Sequence, residues 1–418
     1  MDWKYDVAVI GAGGRVGLPL SLAFADSGLR VVGIEIDKSK LAALSEGTMP
    51  FDEPGCAEIL EEQLSSLEER LVFTDDYNLT ETCEYLIIVP GTPLTVDNTP
   101  DSEELRNVFG NLIPHIRPGH VIVLRSTVAP RTTETIREFL RSSIDSNLFG
   151  AIEVAVAPER IVEGRAIREL HELPQIIGAF SQEAYEKVSS LFTRFGIETL
   201  QCRPIEAELA KLFANNFRYI QFAIANEFFM ICENLGVSFE SVRNITNYEY
   251  PRSSITKSGF ARGPCLGKDS WLLMSTGAGH PLQSRMLMSS YLVNETLPDF
   301  VVAIAKNRLG SFSGKNVLVL GLTFKRDSDD IRSSLSPKLI SLIESEFVGR
   351  LDVHDPFVEP DNLEKKLSRA DIIFVATNHS IYDHLALSNR VKPDCLIVDV
   401  WYQLNPKMGH SYYCRDIQ

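Results

Sequence analysis

The sequence has no CxxC pair, no apolar run of the roughly 18 residues that span a bilayer, no low-complexity tract and no basic surplus. Its seven cysteines (Cys56, Cys83, Cys202, Cys232, Cys265, Cys395 and Cys414) are odd in number and scattered. That spacing argues against a disulfide framework or a zinc cluster, so no metal and a reducing, cytoplasmic location are expected. The opening MDWKYDVAVIGAGG lacks a basic leader and reads as entering a strand at once, not as a signal peptide. A net charge of -15 disfavours nucleic acid and anionic membranes as partners. Local Arg and Lys can still hold a phosphorylated small substrate. At 418 residues, with 44% hydrophobic and 23% charged residues, the chain is an ordinary globular one too long for a single core.

Residues 5–36 read as strand, glycine turn, helix and strand. The apolar run Tyr5 to Ile10 leads into Gly11-Ala12-Gly13-Gly14-Arg15-Val16-Gly17, an apolar helix from Leu18 to Ala25, and a second strand, Val31 to Ile34, ending at Glu35. Glycines let a pyrophosphate approach the backbone, and a helix N-terminus offers it N–H groups and a positive dipole end. Glu35, 24 residues after Gly11, can accept from the adenosine ribose hydroxyls and would repel a 2′-phosphate, which favours NAD over NADP. The spacing is GxGxxxG, one residue longer than the usual fingerprint. An unliganded tight turn is the plainer alternative, and the strand–turn–helix–strand–acid context argues against it.

Further strands end in loops expected to border the ligand crevice. Tyr85 to Val89 runs into Pro90-Gly91-Thr92-Pro93, Val121 to Leu124 into Arg125-Ser126-Thr127-Val128, and Glu153 to Ala157 into Pro158-Glu159-Arg160. On these residues alone, Glu159 and Arg160 could equally form a structural ion pair. From Pro204 to Gly236 the pattern is one long helix, a spine suited to connecting domains and carrying a dimer interface. Its Phe213, Phe217, Ile220, Ile224 and Phe228 fall at helical spacings and read as core or interface. Glu208, Lys211 and Asn215 share another face, read from the helix alone as a charged surface. After Ser313 the strand–helix rhythm restarts through Lys315 to Gly321, a helix from Leu335 to Ile343, Leu351 to Pro356, Ile372 to Ala376 and Cys395 to Asp399. This last unit lacks a full glycine fingerprint, which points to a different ligand. The fold class is therefore α/β, two Rossmann-like doubly wound domains joined by a central helical domain.

Between spine and last unit lies Gly259-Phe260-Ala261-Arg262-Gly263-Pro264-Cys265-Leu266-Gly267-Lys268-Asp269. A cysteine in a glycine-rich loop beside Lys and Asp is in a setting that can favour its thiolate. The other six cysteines read as inert buried thiols. A thiol nucleophile together with NAD suggests oxidation of an aldehyde through a thiohemiacetal to a thioester.

The ordered motifs resemble the UDP-glucose/GDP-mannose dehydrogenase family over essentially the full length. They are the glycine loop with VGLP (Val16 to Pro19), STV-P-TT (Ser126 to Thr133), PER (Pro158 to Arg160), E-x-x-K-x-x-x-N (Glu208 to Asn215), G-x-C-x-x-KD (Gly263 to Asp269) and GLTFK-x-x-x-DDIR-x-S (Gly321 to Ser334). The resemblance implies a four-electron oxidation of a nucleotide sugar's C6 alcohol to a uronic acid with two NAD⁺ per turnover. It gives Cys265 the nucleophile's role, Lys211 and Asn215 oxyanion stabilisation, and Asp269, Glu159 and Thr127 the protons and hydrolytic water. It places the cofactor against Gly11, Gly13, Gly14, Arg15, Val16, Gly17, Glu35, Pro90, Thr92, Ser126, Thr127, Lys268 and Arg332. The substrate falls to Glu159, Arg160, Lys211, Asn215, Tyr250, Arg252, Phe260, Arg262, Gly263, Phe324 and Lys325, with Arg262 serving the partner subunit of a homodimer. It divides the chain into an NAD-binding domain (1–202), a central helical domain carrying the dimer interface (203–312) and a UDP-sugar domain (313–418). PERIVEG and LPQIIG resemble the UDP-N-acetylhexosamine branch, of the mannosamine or glucosamine forms, whereas GPCLGKD keeps the KD of the UDP-glucose branch, so the expected sugar leans to the former. Polysaccharide biosynthesis is the expected setting. The alternatives are a two-electron dehydrogenase of the hydroxyacid or 6-phosphogluconate type, and a non-catalytic nucleotide-sugar binder.

Overall fold

A computed structural model describes residues 3–66, 70–275, 284–383, 385 and 390–404. The chain forms two compact units, residues 1–214 with 271–282 and residues 215–270 with 283–418. The boundary falls inside the spine helix Pro204–Leu235, which runs unbroken for 32 residues. Pro204 begins it and Gly236, at φ +70°, follows its end, a conformation costly for residues with a Cβ.

The first unit is built on eight strands: β1 (Tyr5–Ile10), β2 (Val31–Ile34), β3 (Leu71–Thr74), β4 (Cys83–Ile88), β5 (Val121–Leu124), β6 (Glu153–Val156), β7 (Gln175–Ala179) and β8 (Thr199–Cys202). Their order is β3-β2-β1-β4-β5-β6-β7-β8, and every neighbouring pair is parallel except β6 with β7. Both faces are buried, as parallel sheets require. Val7, Val9, Ile87 and Val123 enter one core, while Ala8, Ile10, Ile88 and Leu124 enter the other. The chain reverses direction across the sheet between β1 and β4, so their carboxyl ends open the crevice where such sheets bind ligands.

The second unit carries the parallel strands β9 (Asn316–Leu320), β10 (Arg350–His354), β11 (Ile372–Val375) and β12 (Leu396–Asp399), in the order β10-β9-β11-β12. Its own switch point lies between β9 and β11. The GLTFK segment after β9 and the segment Ala376-Thr377-Asn378-His379 after β11 therefore emerge side by side.

The spine helix overturns the reading of Glu208, Lys211 and Asn215 as a charged surface. Phe213, Phe217, Ile224 and Phe228 are exposed and Ile220 is half-buried, whereas Glu208, Lys211 and Asn215 are at most 8% exposed. The polar stripe is the inward face, where Glu208 and Asn215 have specific partners. The aromatic stripe is left as a surface.

Candidate active site

The glycine loop absorbs its extra residue without losing the cradle. Gly11, at φ +85°, turns the chain after β1, and Gly14 N–H donates to its carbonyl at 3.3 Å. The helix Gly17–Asp26 starts at the third glycine of the pattern. A Cβ on Gly17 would lie 2.2 Å from the Gly11 carbonyl oxygen, so only glycine allows the helix to approach the turn this closely. On Gly14 the nearest atom would be 3.5 Å away, ordinary contact. The insertion is thus accommodated in the turn at Gly14 to Val16, ahead of the helix.

Glu35 is 7% exposed and accepts Gly13 N–H at 2.8 Å through Oε2 and Asp37 N–H at 2.9 Å through Oε1. A carboxylate has about four acceptor sites, so these bonds orient it and leave capacity for a ribose diol. Across the crevice, Pro90 packs where a Cβ on Gly11 would sit, and Thr92 Oγ1 donates to the Thr127 carbonyl at 3.3 Å. Ser126 Oγ is buried without a hydrogen-bond partner among the described residues, an acceptor and donor in place for a ligand. A cradle closed to side chains, a ribose acid and an orphaned hydroxyl fit a dinucleotide.

Arg15 is among the residues expected at the cofactor. Its guanidinium pairs with Glu163 at 2.7 Å and lies 4.8 Å from the centre of the Phe51 ring, tying the glycine loop to the PERIVEG segment. In that segment, the suggested Glu159–Arg160 pair does not form. Glu159 instead binds the guanidinium of Arg125, which is 1% exposed, and also accepts Ile161 N–H at 2.6 Å. Arg125 further donates to the Ala157 carbonyl at 2.9 Å and to Gln175 at 2.6 Å. Arg160 turns to the Pro174 carbonyl. A chain-adjacent Glu and Arg point apart at a strand end, so the acid found its cation on the neighbouring strand. Arg125 stands beside the STV motif, and only its place in an apolar strand end could have signalled burial.

Glu208 is 2% exposed and accepts Arg131 N–H at 2.6 Å, Thr133 N–H at 2.7 Å and Thr133 Oγ1–H at 2.6 Å. It caps the helix Thr132–Ser143 from a distance, and burial raises its pKa. Arg131 adopts a left-handed φ of +72° in presenting that N–H. The motif glutamate thus ties the STV segment to the turn of the spine that carries Lys211, which is 8% exposed.

The second unit holds the cysteine loop. Cys265 is exposed and immediately precedes the helix Leu266–Met274. Cys56, Cys83 and Cys395 are buried, and burial pushes their thiols up to about 12. Cys232 is buried and Cys202 half-buried, while Cys414 lies outside the described residues. Asp269 N–H donates to the Cys265 carbonyl at 2.9 Å, closing the first helical turn. Asp269, fully buried, accepts from Asn215 Nδ2 at 2.6 Å. Next to it, Asn216 donates to the Asp269 carbonyl at 3.2 Å and accepts from Ser270 Oγ at 2.7 Å. These bonds fix the spine's asparagine to the helix that follows Cys265.

Phe324 of the GLTFK segment lies against Gly263. A Cβ there would be 2.4 Å from its ring, and the φ of +100° independently favours glycine. Phe260 is buried, and Arg262 pairs with Glu295 at 2.7 Å within its own chain. Tyr250 and Arg252 are exposed and stacked, 4.8 Å from guanidinium carbon to ring centre. Arg332 chelates Asp330 through bonds of 2.6 to 2.9 Å, while Lys268 and Lys325 are half-buried. Sequence reasoning passed over Arg125, Glu163 and the pair Asp355–His379 described below, since each works through a partner distant in the chain. Among the described residues no cluster of His, Cys, Asp and Glu is arranged to hold a metal ion.

Residues 5–196 match the NAD binding domain of the UDP-glucose/GDP-mannose dehydrogenase family, residues 205–296 its central domain and residues 318–406 its UDP binding domain. A UDP-N-acetyl-D-mannosamine dehydrogenase of Pyrococcus horikoshii is 31% identical over 386 residues, covering 89% of each chain. An NDP-N-acetyl-D-galactosaminuronic acid dehydrogenase of Ralstonia nicotianae is 28% identical over 400 residues, covering 91% of this chain and 92% of its own. The solved structure of the UDP-D-ManNAc dehydrogenase from Pyrococcus horikoshii aligns with a TM-score of 0.87 at 28% identity, over 98% of this chain and 99% of that one. A UDP-glucose dehydrogenase from Pyrobaculum islandicum aligns at 0.88 with 25% identity, over 99% of both chains.

Proposed function

The chain belongs to the UDP-glucose/GDP-mannose dehydrogenase family, and on that premise we propose that it oxidises the C6 alcohol of a UDP-N-acetylhexosamine to the carboxylate, with Cys265 as covalent nucleophile. It is an NAD-dependent nucleotide-sugar dehydrogenase. The observation that carries the covalent reading is the exposed Cys265 at the head of a helix whose buried Asp269 is bonded at 2.6 Å to Asn215 of the spine.

NAD, when bound, accepts hydride, and taking an alcohol to an acid removes four electrons, so two NAD⁺ are consumed per sugar. The chain's own groups do the rest. Lys211 and Asn215, one helical turn apart, supply an ammonium and an amide for the developing alkoxide at C6. Once the aldehyde has formed, Cys265 Sγ adds to its carbon, giving a thiohemiacetal whose oxyanion the same two donors stabilise. Loss of the second hydride leaves a thioester. Water then cleaves the C–S bond, releasing the carboxylate and restoring the thiol. Glu159, held by Arg125 and Ile161 N–H, orients this water together with Thr127, and Asp269 handles the proton.

For the substrate, the uridine diphosphate falls to the residues 313–418, with Lys325, Phe324 and Arg262 at its approaches. The cofactor occupies residues 1–202. The N-acetylhexosamine assignment rests on PERIVEG and on relatives that act on UDP-N-acetyl-D-mannosamine. GPCLGKD keeps UDP-glucose as the second reading. We further propose a cytoplasmic homodimer, serving polysaccharide biosynthesis, formed on the exposed aromatic face of residues 203–312.

The deciding assay offers UDP-N-acetylglucosamine, UDP-N-acetylmannosamine, UDP-glucose and GDP-mannose in turn and follows NADH. Two NADH per sugar, with an N-acetylhexosamine preferred, is expected. One NADH per sugar would sink the four-electron reading. Cys265→Ser should abolish uronic acid formation, and undiminished turnover would refute covalent catalysis at this residue.

A further inference from the structure

Beneath the GLTFK segment lies a buried pair outside the chemistry above. Asp355, after β10, and His379, after β11, are both 0% exposed, and their Oδ2 and Nε2 atoms are 3.0 Å apart. The backbone N–H of Asp327 donates to His379 Nδ1 at 3.0 Å. A backbone amide can only donate, so Nδ1 is the acceptor and Nε2 carries the proton. That proton faces Asp355 Oδ2 and Thr323 Oγ1, the latter at 3.1 Å. Asp355 Oδ2 also accepts Leu322 N–H at 2.7 Å and Thr323 N–H at 3.3 Å. Thr323 Oγ1 donates to the Lys325 carbonyl at 3.0 Å, and the Thr323 carbonyl accepts from Thr377 Oγ1 at 2.6 Å.

What this pair holds in place is a strained loop. Asp327 and Ser333 have left-handed φ values of +51° and +52°, which residues with a Cβ keep only where neighbours enforce them. His379 fixes the first of these. The loop in turn grips the cysteine segment twice: the Phe324 ring lies on Gly263, and the Ser333 carbonyl accepts Gly263 N–H at 3.2 Å. Gly263 is two residues before Cys265. A short path therefore joins the floor of the UDP binding domain to the nucleophile, through His379, the GLTFK loop and Gly263, all within one compact unit.

We propose that His379, with Asp355, is a positioning residue that couples nucleotide occupancy at the GLTFK loop to the presentation of Cys265. The inference rests on the reading of this loop as the nucleotide site. A nucleoside diphosphate contacting the loop has two states of Cys265 to choose between only if the loop responds as one piece. His379 makes it one piece, since its two nitrogens bond to backbone and side chain on either side of Phe324 and Lys325.

The test uses UDP, which lacks the sugar and so has no atom at the C6 position. Alkylation of Cys265 by iodoacetamide is timed by peptide mass spectrometry with and without saturating UDP. In the unaltered protein UDP should change the rate at least threefold. In His379→Ala, and in Thr323→Val should the first not fold, that ratio should fall to near one while calorimetry still shows UDP binding. His379→Asn, whose Oδ1 can replace the Nδ1 acceptor, should recover part of the ratio. The kcat of His379→Ala should drop at least tenfold, with KM for the nucleotide sugar moved less than threefold. An unaltered protein whose Cys265 ignores UDP, or a folded variant with the original ratio, would overturn the coupling. A UDP-dependent ratio in a protein that oxidises no nucleotide sugar would leave this inference standing and refute the proposed reaction instead.

Discussion

Single residues carry this molecule's sharpest constraints where a charge is buried. Arg125 has a side chain 1% exposed and Glu159 one 8% exposed, so each is the other's main compensation for lost water. Burial lowers the pKa of Arg125, and Glu159 opposes that shift. Arg125→Met would leave the Glu159 carboxylate buried without a cation, a loss of about 3–5 kcal/mol measurable by urea denaturation. The double variant Arg125→Met/Glu159→Gln should regain much of that loss. If the single variant is as stable as the parent, the pair does not hold Glu159. The sequence displayed Glu159 but not its partner, because their separation of 34 positions closes only when β5 pairs with β6.

At the scale of elements, the glycine turn and the spine helix show how pattern and packing divide the work. Two glycines of the same turn have opposite tolerances. Gly17→Ala forces a Cβ to 2.2 Å from the Gly11 carbonyl, so overpacking of about 1–3 kcal/mol and at least a tenfold weaker NAD affinity are expected. Gly14→Ala meets nothing closer than 3.5 Å and should bind NAD within threefold of the parent by fluorescence titration. Equal effects at both sites would show that the loop adopts another turn. The turn's existence was legible in the spacing, whereas which glycine is indispensable was not. On the spine, periodicity correctly gave one uninterrupted helix with Pro204 and Gly236 as its limits. It did not give the inward face, since from the helix alone Glu208, Lys211 and Asn215 read as a charged surface and the phenylalanines as core or interface. Glu208 is drawn inside by three donors at the N-terminal end of another helix, which no local pattern contains.

For the whole molecule, the exposed stripe of Phe213, Phe217, Ile224 and Phe228 continues into Ile231 and Leu235, an apolar face that an isolated soluble chain would seldom leave uncovered. A second copy of the chain is its proposed cover. Light scattering should then give twice the chain mass of 46.7 kDa, and Phe217→Asp combined with Ile224→Asp should return the mass to that of one chain. A monomeric parent would remove the homodimer from the proposal. No helix among the described residues is long and apolar enough to cross a membrane.

By itself the sequence determined two α/β sheets with a helical spine, an NAD-type glycine turn with its acid at Glu35, and Cys265 as the distinctive thiol. These are readable because strand alternation, helix limits and turn glycines are local properties of the chain. Only the tertiary structure decided that Glu159 belongs to Arg125, that Glu208 caps a remote helix, that the spine turns its polar face inward, and that His379 underlies the GLTFK loop. Each of those is a choice of partner for a buried polar group. The choice is made by which backbone amides and side chains the fold brings within about 3 Å, a distance that sequence separation does not encode.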